Sequence, residues 1–430
     1  MSVSHSVSLM KEKCKGCTTC LKRCPTEAIR IRDGHAVIKS ELCIDCGECI
    51  RVCPNKAKKA TFDDFSVIES FKWKIALPAP TLYGQFDNLD DLDIVLNGLL
   101  EIGFDDVFEV AAAAELVSEY TRNYLKRENI TKPVISSACP AVVRIITVRF
   151  PSLCKNVIPL LPPIELAAKL AKENALKAHP EFKYEDIGVF FISPCPAKVS
   201  YIKNPIGLDK SEVDGALSMR DVCFKLIPAM NKITDPKPLS KTGLIGVGWA
   251  GSGGEATSLF NDRYLAADGI ENVIKVLDEI ENENIKHLDF IELNACNGGC
   301  VGGALNIVNP YISKARLQSL KRYLPVSQNR VAASGTESSE TAIPDELFWN
   351  NELIYNPITK LDDNFASAIQ KMASIQLICS HFPDLDCGSC GAPSCRALAE
   401  DVVSGEAYEE DCIMNYKDEF IKQKRKENSK

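Results

Sequence analysis

Four cysteines stand in three short motifs bracketed by small or turn-forming residues. The motifs are Ser136-Ser137-Ala138-Cys139-Pro140, Ser193-Pro194-Cys195-Pro196-Ala197-Lys198 and Glu292-Leu293-Asn294-Ala295-Cys296-Asn297-Gly298-Gly299-Cys300. Four thiolates are the complement that an iron–sulfur cubane needs. Twelve more cysteines fall in close series. Cys14-x2-Cys17-x2-Cys20-x3-Cys24-Pro25 recurs 29 residues later as Cys43-x2-Cys46-x2-Cys49-x3-Cys53-Pro54, and Cys387-x2-Cys390-x4-Cys395-x16-Cys412 comes near the C-terminal end. Such spacing wraps backbone around a cluster, so that N–H groups point at sulfur. Cys154, Cys223 and Cys379 have no partner spacing and read as buried thiols. Nineteen cysteines in one chain point to metal or redox use, since disulfides are not expected without an export signal. The five histidines form no spaced pair, which disfavours histidine-rich zinc or non-haem iron chemistry.

The duplicated run is the bacterial two-cluster ferredoxin pattern, in which the first three cysteines hold one cubane and the fourth crosses to the other. Cys14, Cys17, Cys20 and Cys53 are assigned to one cluster, and Cys43, Cys46, Cys49 and Cys24 to the second. The proline after each fourth cysteine and the x2-x2-x3 spacing fit this better than a pair of zinc knuckles. Ile29–Ile31 and Ala36–Ile38 alternate like small hairpin strands. This domain, 1–62, moves electrons and makes no bonds itself.

Elements must carry the central motifs to one place. From about Lys72 to Ser374 the chain alternates apolar runs with amphipathic stretches, which argues for a layered α/β fold. Val134-Ile135, Ile187–Ile192, Leu244–Val247 and Phe290–Leu293 read as buried strands. Ile164–Ala178 and Asn272–Ile280 read as helices. The motif cysteines follow such strands, and in open α/β sheets ligands collect at the carboxyl ends of strands. With 430 residues, 45% hydrophobic and 25% charged, the chain can bury a large core in two or three domains. A net charge of −8 favours neither nucleic acid nor an anionic membrane as partner. Met1–Met10 has no apolar signal core and no run is long enough to span a bilayer, so a cytoplasmic location is expected.

The three central motifs resemble the active-site signatures of the iron-only (di-iron) hydrogenases, and the resemblance covers nearly all of residues 1–375. It implies that Cys139, Cys195, Cys296 and Cys300 hold a 4Fe–4S cluster, with Cys300 bridging to a di-iron unit that carries CO and cyanide. Lys198 matches the family lysine that donates to a cyanide ligand. Gly246–Gly254 (GVGWAGSGG) lacks the marks of a nucleotide loop. It matches a glycine-rich stretch of the hydrogenase domain, where small residues let backbone pack close to the cluster.

Several positions depart from the family. Ala138 stands where catalytic members carry the cysteine that ferries protons to the open iron, and a methyl group cannot donate. Two methionines that flank the di-iron unit appear as Ser193 and Asn294. The helix carrying the family's proton-path glutamates matches Phe108–Tyr124, where those positions hold Tyr120, Thr121 or Tyr124, with Glu115 and Glu119 displaced. The pocket is expected to be more polar and the proton relay dismantled.

After a polar stretch, Val326–Asn356, with an exposed loop at Ser334–Glu340, Leu361–Ile375 reads as a connecting helix. Then comes the last cysteine series, whose x16 stretch, Arg396–Asp411, reads mainly as helix. Four-cysteine zinc also fits that spacing. The run DCGSCGAPSC resembles a small cluster domain of corrinoid iron–sulfur proteins and sensory-type hydrogenases, and a fourth 4Fe–4S cluster is expected. Lys422–Lys430 reads as a solvated charge run.

The expected fold is multidomain, α+β and α/β. It comprises a two-cluster ferredoxin domain (1–62), a two-lobed α/β hydrogenase domain (63–375) with its site between the lobes, and a small C-terminal cluster domain (376–430). The expected activity is slow, sensory-type interconversion of hydrogen with protons and electrons. A redox or signalling partner protein and the hydrogenase maturation proteins are implied. The alternative is a non-catalytic hydrogenase-like scaffold or cluster-assembly protein without the di-iron unit.

Overall fold

The computed structural model describes residues 5–330, 343–355, 361–362 and 364–428. The loop expected at Ser334–Glu340 lies outside them, as does the end of the Lys422–Lys430 run. The chain forms two compact units. One comprises Met1–Ile44, Glu48–Lys59 and Asn356–Lys430, and the other Asp45–Gly47 and Ala60–Tyr355.

In the first unit, β1 (Val7–Leu9), β2 (Ile29–Arg32), β3 (His35–Ile38) and β4 (Lys58–Ala60) form two small ribbons, β1 with β4 and β2 with β3. The expected hairpin is antiparallel, with Ile29 opposite Ile38 and Arg32 opposite His35. Short helices at Thr19–Lys22 and Glu48–Arg51 carry Cys20 and Cys49 at matching places in the two repeats.

The expected connecting helix is displaced along the chain to Phe365–His381. The Asn364 oxygen accepts the Ala366 and Ser367 amides and fixes its start. Pro383 holds Phe382 extended and ends it. The helix expected over Arg396–Asp411 is shorter, Cys395–Val403, because Gly405 turns the backbone left-handed at φ +78°. A 3-10 turn, Glu409–Asp411, then delivers Cys412.

Asp401, on that helix, is fully buried and meets cations from the hairpin and its exit. Arg30 donates to both its oxygens (2.5 and 3.1 Å), Arg32 to Oδ2 (2.7 Å) and Lys39 to Oδ1 (2.8 Å). Burial pushes the Asp401 carboxyl up, but Arg30 and Lys39 outweigh it and hold it below its ordinary value. Lys22 donates to the carbonyls of Asp386 and Pro393. Gly391 has φ +82°, and a Cβ there would come within 2.3 Å of the Ile31 carbonyl oxygen. Its own carbonyl accepts the Ile31 amide at 2.8 Å.

The second unit is α/β. Its strands are β5 (Trp73–Pro78), β6 (Asp106–Val107), β7 (Val134–Ile135), β8 (Ile187–Ser193), β9 (Gly215–Ser218), β10 (Tyr264–Asp268) and β11 (Phe290–Asn294). They make two parallel sheets, in the orders β6-β5-β8-β9 and β10-β11-β7. Every residue of β8 is buried, as an unbroken apolar run in a parallel sheet covered on both faces requires. The expected helices appear as Pro163–Ala178 and Ile270–Glu281. Leu244–Val247, expected as a strand, is instead part of a helix, Leu244–Gly248. A four-residue apolar run carries no period that separates strand from helix. Here Gly246 lies against the Ala111 carbonyl of the helix Val110–Leu125, so close that a Cβ would approach to 2.2 Å.

Glu109, just before that helix, accepts hydrogen bonds from the Tyr83 hydroxyl (2.7 Å) and the Lys241 amide (2.6 Å). Burial nevertheless lifts its carboxyl to about 7, against the pull of those hydrogen bonds. An unfolded glutamate titrates near 4.5. Between these values the folded state binds more protons, so this group's contribution to stability falls as pH rises, by about 3 kcal/mol over the window. Glu109→Gln should therefore match the wild type below pH 4.5 and exceed it by about that amount above pH 7. Denaturant unfolding of both proteins at the two pH values checks this, and an unchanged difference would refute it.

Candidate active site

The two sheets direct their carboxyl ends at one cavity. Cys139 follows β7 and forms the N-cap of the helix Pro140–Arg149. Cys195 follows β8 and does the same for Pro196–Lys203. In both helices proline occupies the first position, where its missing N–H is not needed. Cys296 and Cys300 lie in the loop after β11. Gly299 there has φ +89°, and a Cβ would come within 2.3 Å of the Ser252 nitrogen. Ser252 in turn donates its amide to Gly298, and Val301 donates to Ala250. The glycine-rich stretch thus packs backbone to backbone against the cysteine loop.

The four thiols lie within electrostatic reach of one another. Burial raises Cys195 to about 12, with Lys198 pulling down and Cys296 and Cys300 adding to the rise. Cys300 is raised by burial, lowered by Lys198, and raised by Cys139 and Cys296. Burial alone would depress the Lys198 ammonium. The four sulfurs, Cys300 foremost, more than reverse this and hold it above its ordinary value. Lys198 Nζ sits 3.4 Å from the Ala138 carbonyl and 3.8 Å from Cys300 Sγ. A cation beside four thiols suits a negative cluster.

The cavity is lined by Ala138, Lys198, Cys300, Glu255, Glu292 and Asn294, with apolar walls from Pro80, Phe191 and Trp249. Two buried carboxylates in it were not singled out from the sequence. Glu292 Oε1 accepts from the Gly253 amide (3.0 Å) and Asn294 Nδ2 (2.8 Å), and Oε2 accepts from the Ala256 amide (2.9 Å). Glu255 Oε2 accepts from the Ser136 hydroxyl at 2.6 Å, and Ser136 Oγ accepts the Ala138 amide at 3.1 Å. Burial raises both carboxyls, and the Glu292 charge adds to the rise at Glu255. The available signals were a glutamate inside the apolar run FIELN and another closing the glycine-rich run.

Other expected residues fall differently. Ser193 is fully buried and bonds to the Cys195 backbone: its hydroxyl donates to the Cys195 carbonyl (2.9 Å) and accepts the Cys195 amide (3.3 Å). It is not among the residues lining the cavity, whereas Asn294 is. Glu115 is buried and ties loops together, accepting from the amides of Gly243, Gln328 and Asn329. Thr121 is buried, and Tyr124 packs by Phe348. Burial raises the Tyr120 hydroxyl. Of the unpaired cysteines Cys223 alone is fully buried, while Cys154 and Cys379, also expected to be buried, are only partly covered.

In the first unit Cys20 is raised by burial, and Cys17, Cys53 and Cys14 add to the rise. Burial lifts Cys49 to about 12, with Cys24 and Cys20 contributing. Cys20 thus feels thiols of its own expected set, whereas Cys49 feels Cys24 of its own set and Cys20 of the other. Cys387, Cys390, Cys395 and Cys412 line one small cavity. Among the described residues no three cysteine, histidine or acidic side chains crowd around a point as a single ion demands. A cubane spreads its ligands over four iron corners and asks for a wider set. All-sulfur donors fit such a cluster at the central and ferredoxin sites, and at the central site the partly buried Lys198 adds a cation.

Residues 72–235 and 255–304 match the family described as iron only hydrogenase large subunit, C-terminal domain. Residues 6–54 match a 4Fe-4S dicluster domain and 382–414 a putative Fe-S cluster domain. The periplasmic Fe hydrogenase large subunit of Nitratidesulfovibrio vulgaris is 25% identical over 403 residues, covering 78% of this chain and 94% of that protein. A solved variant of the FeFe-hydrogenase HydA1 from Chlamydomonas reinhardtii overlays with a TM-score of 0.46 and 16% identity, covering 59% of this chain and 86% of that one. The chain is iron-only hydrogenase-like. Among the described residues no helix is long and apolar enough to cross a membrane.

Proposed function

We propose that the protein is a slow, sensory-type iron-only hydrogenase that converts hydrogen reversibly into protons and electrons. The observation that carries this reading is the cavity lined by Cys300, Lys198 and two carboxylates, with Ala138 at the position of the family's proton donor. When bound, the di-iron unit with its CO and cyanide ligands supplies the hydrogen chemistry, and the cubane carries the electrons.

Each residue then has a task. Cys139, Cys195, Cys296 and Cys300 hold the cubane, and Cys300 also serves the di-iron unit. Lys198 offers N–H donors and positive charge to an anionic ligand on the cavity side. Asn294 adds polarity to the wall. Glu292 accepts three N–H bonds, which favour its ionised form, while among the described residues Glu255 accepts only the Ser136 hydroxyl. The pair shares its proton unequally, with Glu255 as the neutral acid. Glu255 and Ser136 thus stand in for the donor that Ala138 lacks, and the changed route accounts for a slow rate. Electrons reach a redox or signalling partner through the 4Fe–4S clusters, and maturation proteins insert the di-iron unit. A cytoplasmic location belongs to this reading, although one relative is periplasmic.

An infrared spectrum of protein matured with the family's accessory proteins tests the reading. CO and cyanide stretches are expected. Their absence from protein with full iron content at the four clusters would sink it and leave a non-catalytic scaffold.

A further inference from the structure

The two ferredoxin repeats match closely just after their fourth cysteines. The Ala28 amide lies 3.2 Å from Cys24 Sγ, and its counterpart, the Ala57 amide, lies 3.2 Å from Cys53 Sγ. Ala28 and Ala57 are both buried. The next residue in the first repeat is Ile29, 2% exposed and part of the small core with Leu21 and Ala36. The next in the second repeat is Lys58, 3% exposed. An apolar position of one repeat is therefore filled by an ammonium in the other.

Lys58 Nζ is buried and has no hydrogen-bond partner in the protein. An unpaired buried ammonium is costly unless an anion faces it. Among the described residues no acidic side chain takes that role. The groups within its reach are thiols of both sets: Lys58 acts on Cys20 of the first and on Cys49 of the second. Once iron is bound, each set is a cluster with net negative charge that grows on reduction. A positive charge within reach of both then favours the reduced forms, because the low-dielectric interior screens it poorly.

We propose that Lys58 is a built-in counter-charge shared by the two ferredoxin clusters, which makes both easier to reduce than the isoleucine of the first repeat would. The proposal rests on the reading that residues 14–53 hold two cubanes. Lys58 acts here as a tuning residue: it ligates no iron and touches no substrate.

The test uses the full chain with its clusters. Lys58→Met keeps the aliphatic stem without the charge, Lys58→Ile copies the first repeat, and Lys58→Arg keeps the charge. Iron content is measured first, and electron paramagnetic resonance then follows reduction during a potentiometric titration. In both neutral variants the reduction equilibria of the two ferredoxin clusters should shift at least tenfold toward the oxidised form, which is 59 mV for a one-electron couple. Lys58→Arg should stay near the wild type. Unchanged equilibria in fully loaded neutral variants would overturn the proposal. So would loss of iron from both neutral variants alone, which would make Lys58 an assembly residue. A wild-type chain that binds no cluster at residues 14–53 would instead remove the cubane reading beneath it.

Discussion

Glu255→Gln is expected to slow hydrogen turnover at least about a hundredfold, the usual effect of deleting a positioned proton donor or acceptor. The substitution preserves shape, and the glutamine oxygen can still accept the Ser136 hydroxyl. It removes only the ability to take up and release a proton. Glu292 is a less clean target, because its oxygens hold the Gly253 and Ala256 amides and a glutamine NH2 would face one of them. The measurement is hydrogen consumption with an artificial acceptor, made on protein whose infrared bands show unchanged cofactor loading. A rate equal to the wild type would exclude Glu255 from the proton route.

Asp401→Asn should loosen the attachment of residues 382–414 to the hairpin Ile29–Ile38 by about 3–5 kcal/mol, the penalty for stranding buried charge when one partner of an ion pair is removed. Arg30 is 3% exposed and would lose its carboxylate, while Arg32 and Lys39 would be left beside it as like charges. Hydrogen exchange across residues 382–414 and the hairpin should rise by roughly a hundredfold or more, since every 1.4 kcal/mol is about tenfold. Replacing the pair with apolar residues, Arg30→Met with Asp401→Leu, should recover much of the loss, because a well-packed apolar contact often equals a buried ion pair. Unaltered exchange in Asp401→Asn would show that the network contributes little.

What the sequence made legible was local. The doubled cysteine run marks a 4Fe-4S dicluster domain by spacing alone, and the three central motifs announce themselves by glycine, proline and cysteine at fixed offsets. β8 was readable because an unbroken buried run leaves few alternatives. The rest depends on meetings between distant residues. Ser136 and Glu255 are 119 positions apart, and Arg30 and Asp401 are 371 apart. No pattern within a window can pair them. Glu115 shows the converse: its place beside a family proton path drew notice, yet its oxygens are occupied by loop amides. Leu244–Val247 was misread because what covers a short apolar run, here the backbone at Ala111, decides its form.

The Asp401 network also bears on biosynthesis. Arg30, Arg32 and Lys39 leave the ribosome some 370 residues before Asp401 does, an interval on the order of tens of seconds at about 5–20 residues per second. During that wait a hydrophobic docking face would invite aggregation, whereas three hydrated cations are harmless in water. A contact that must stay open while some 370 further residues are made is safer built from charge than from grease.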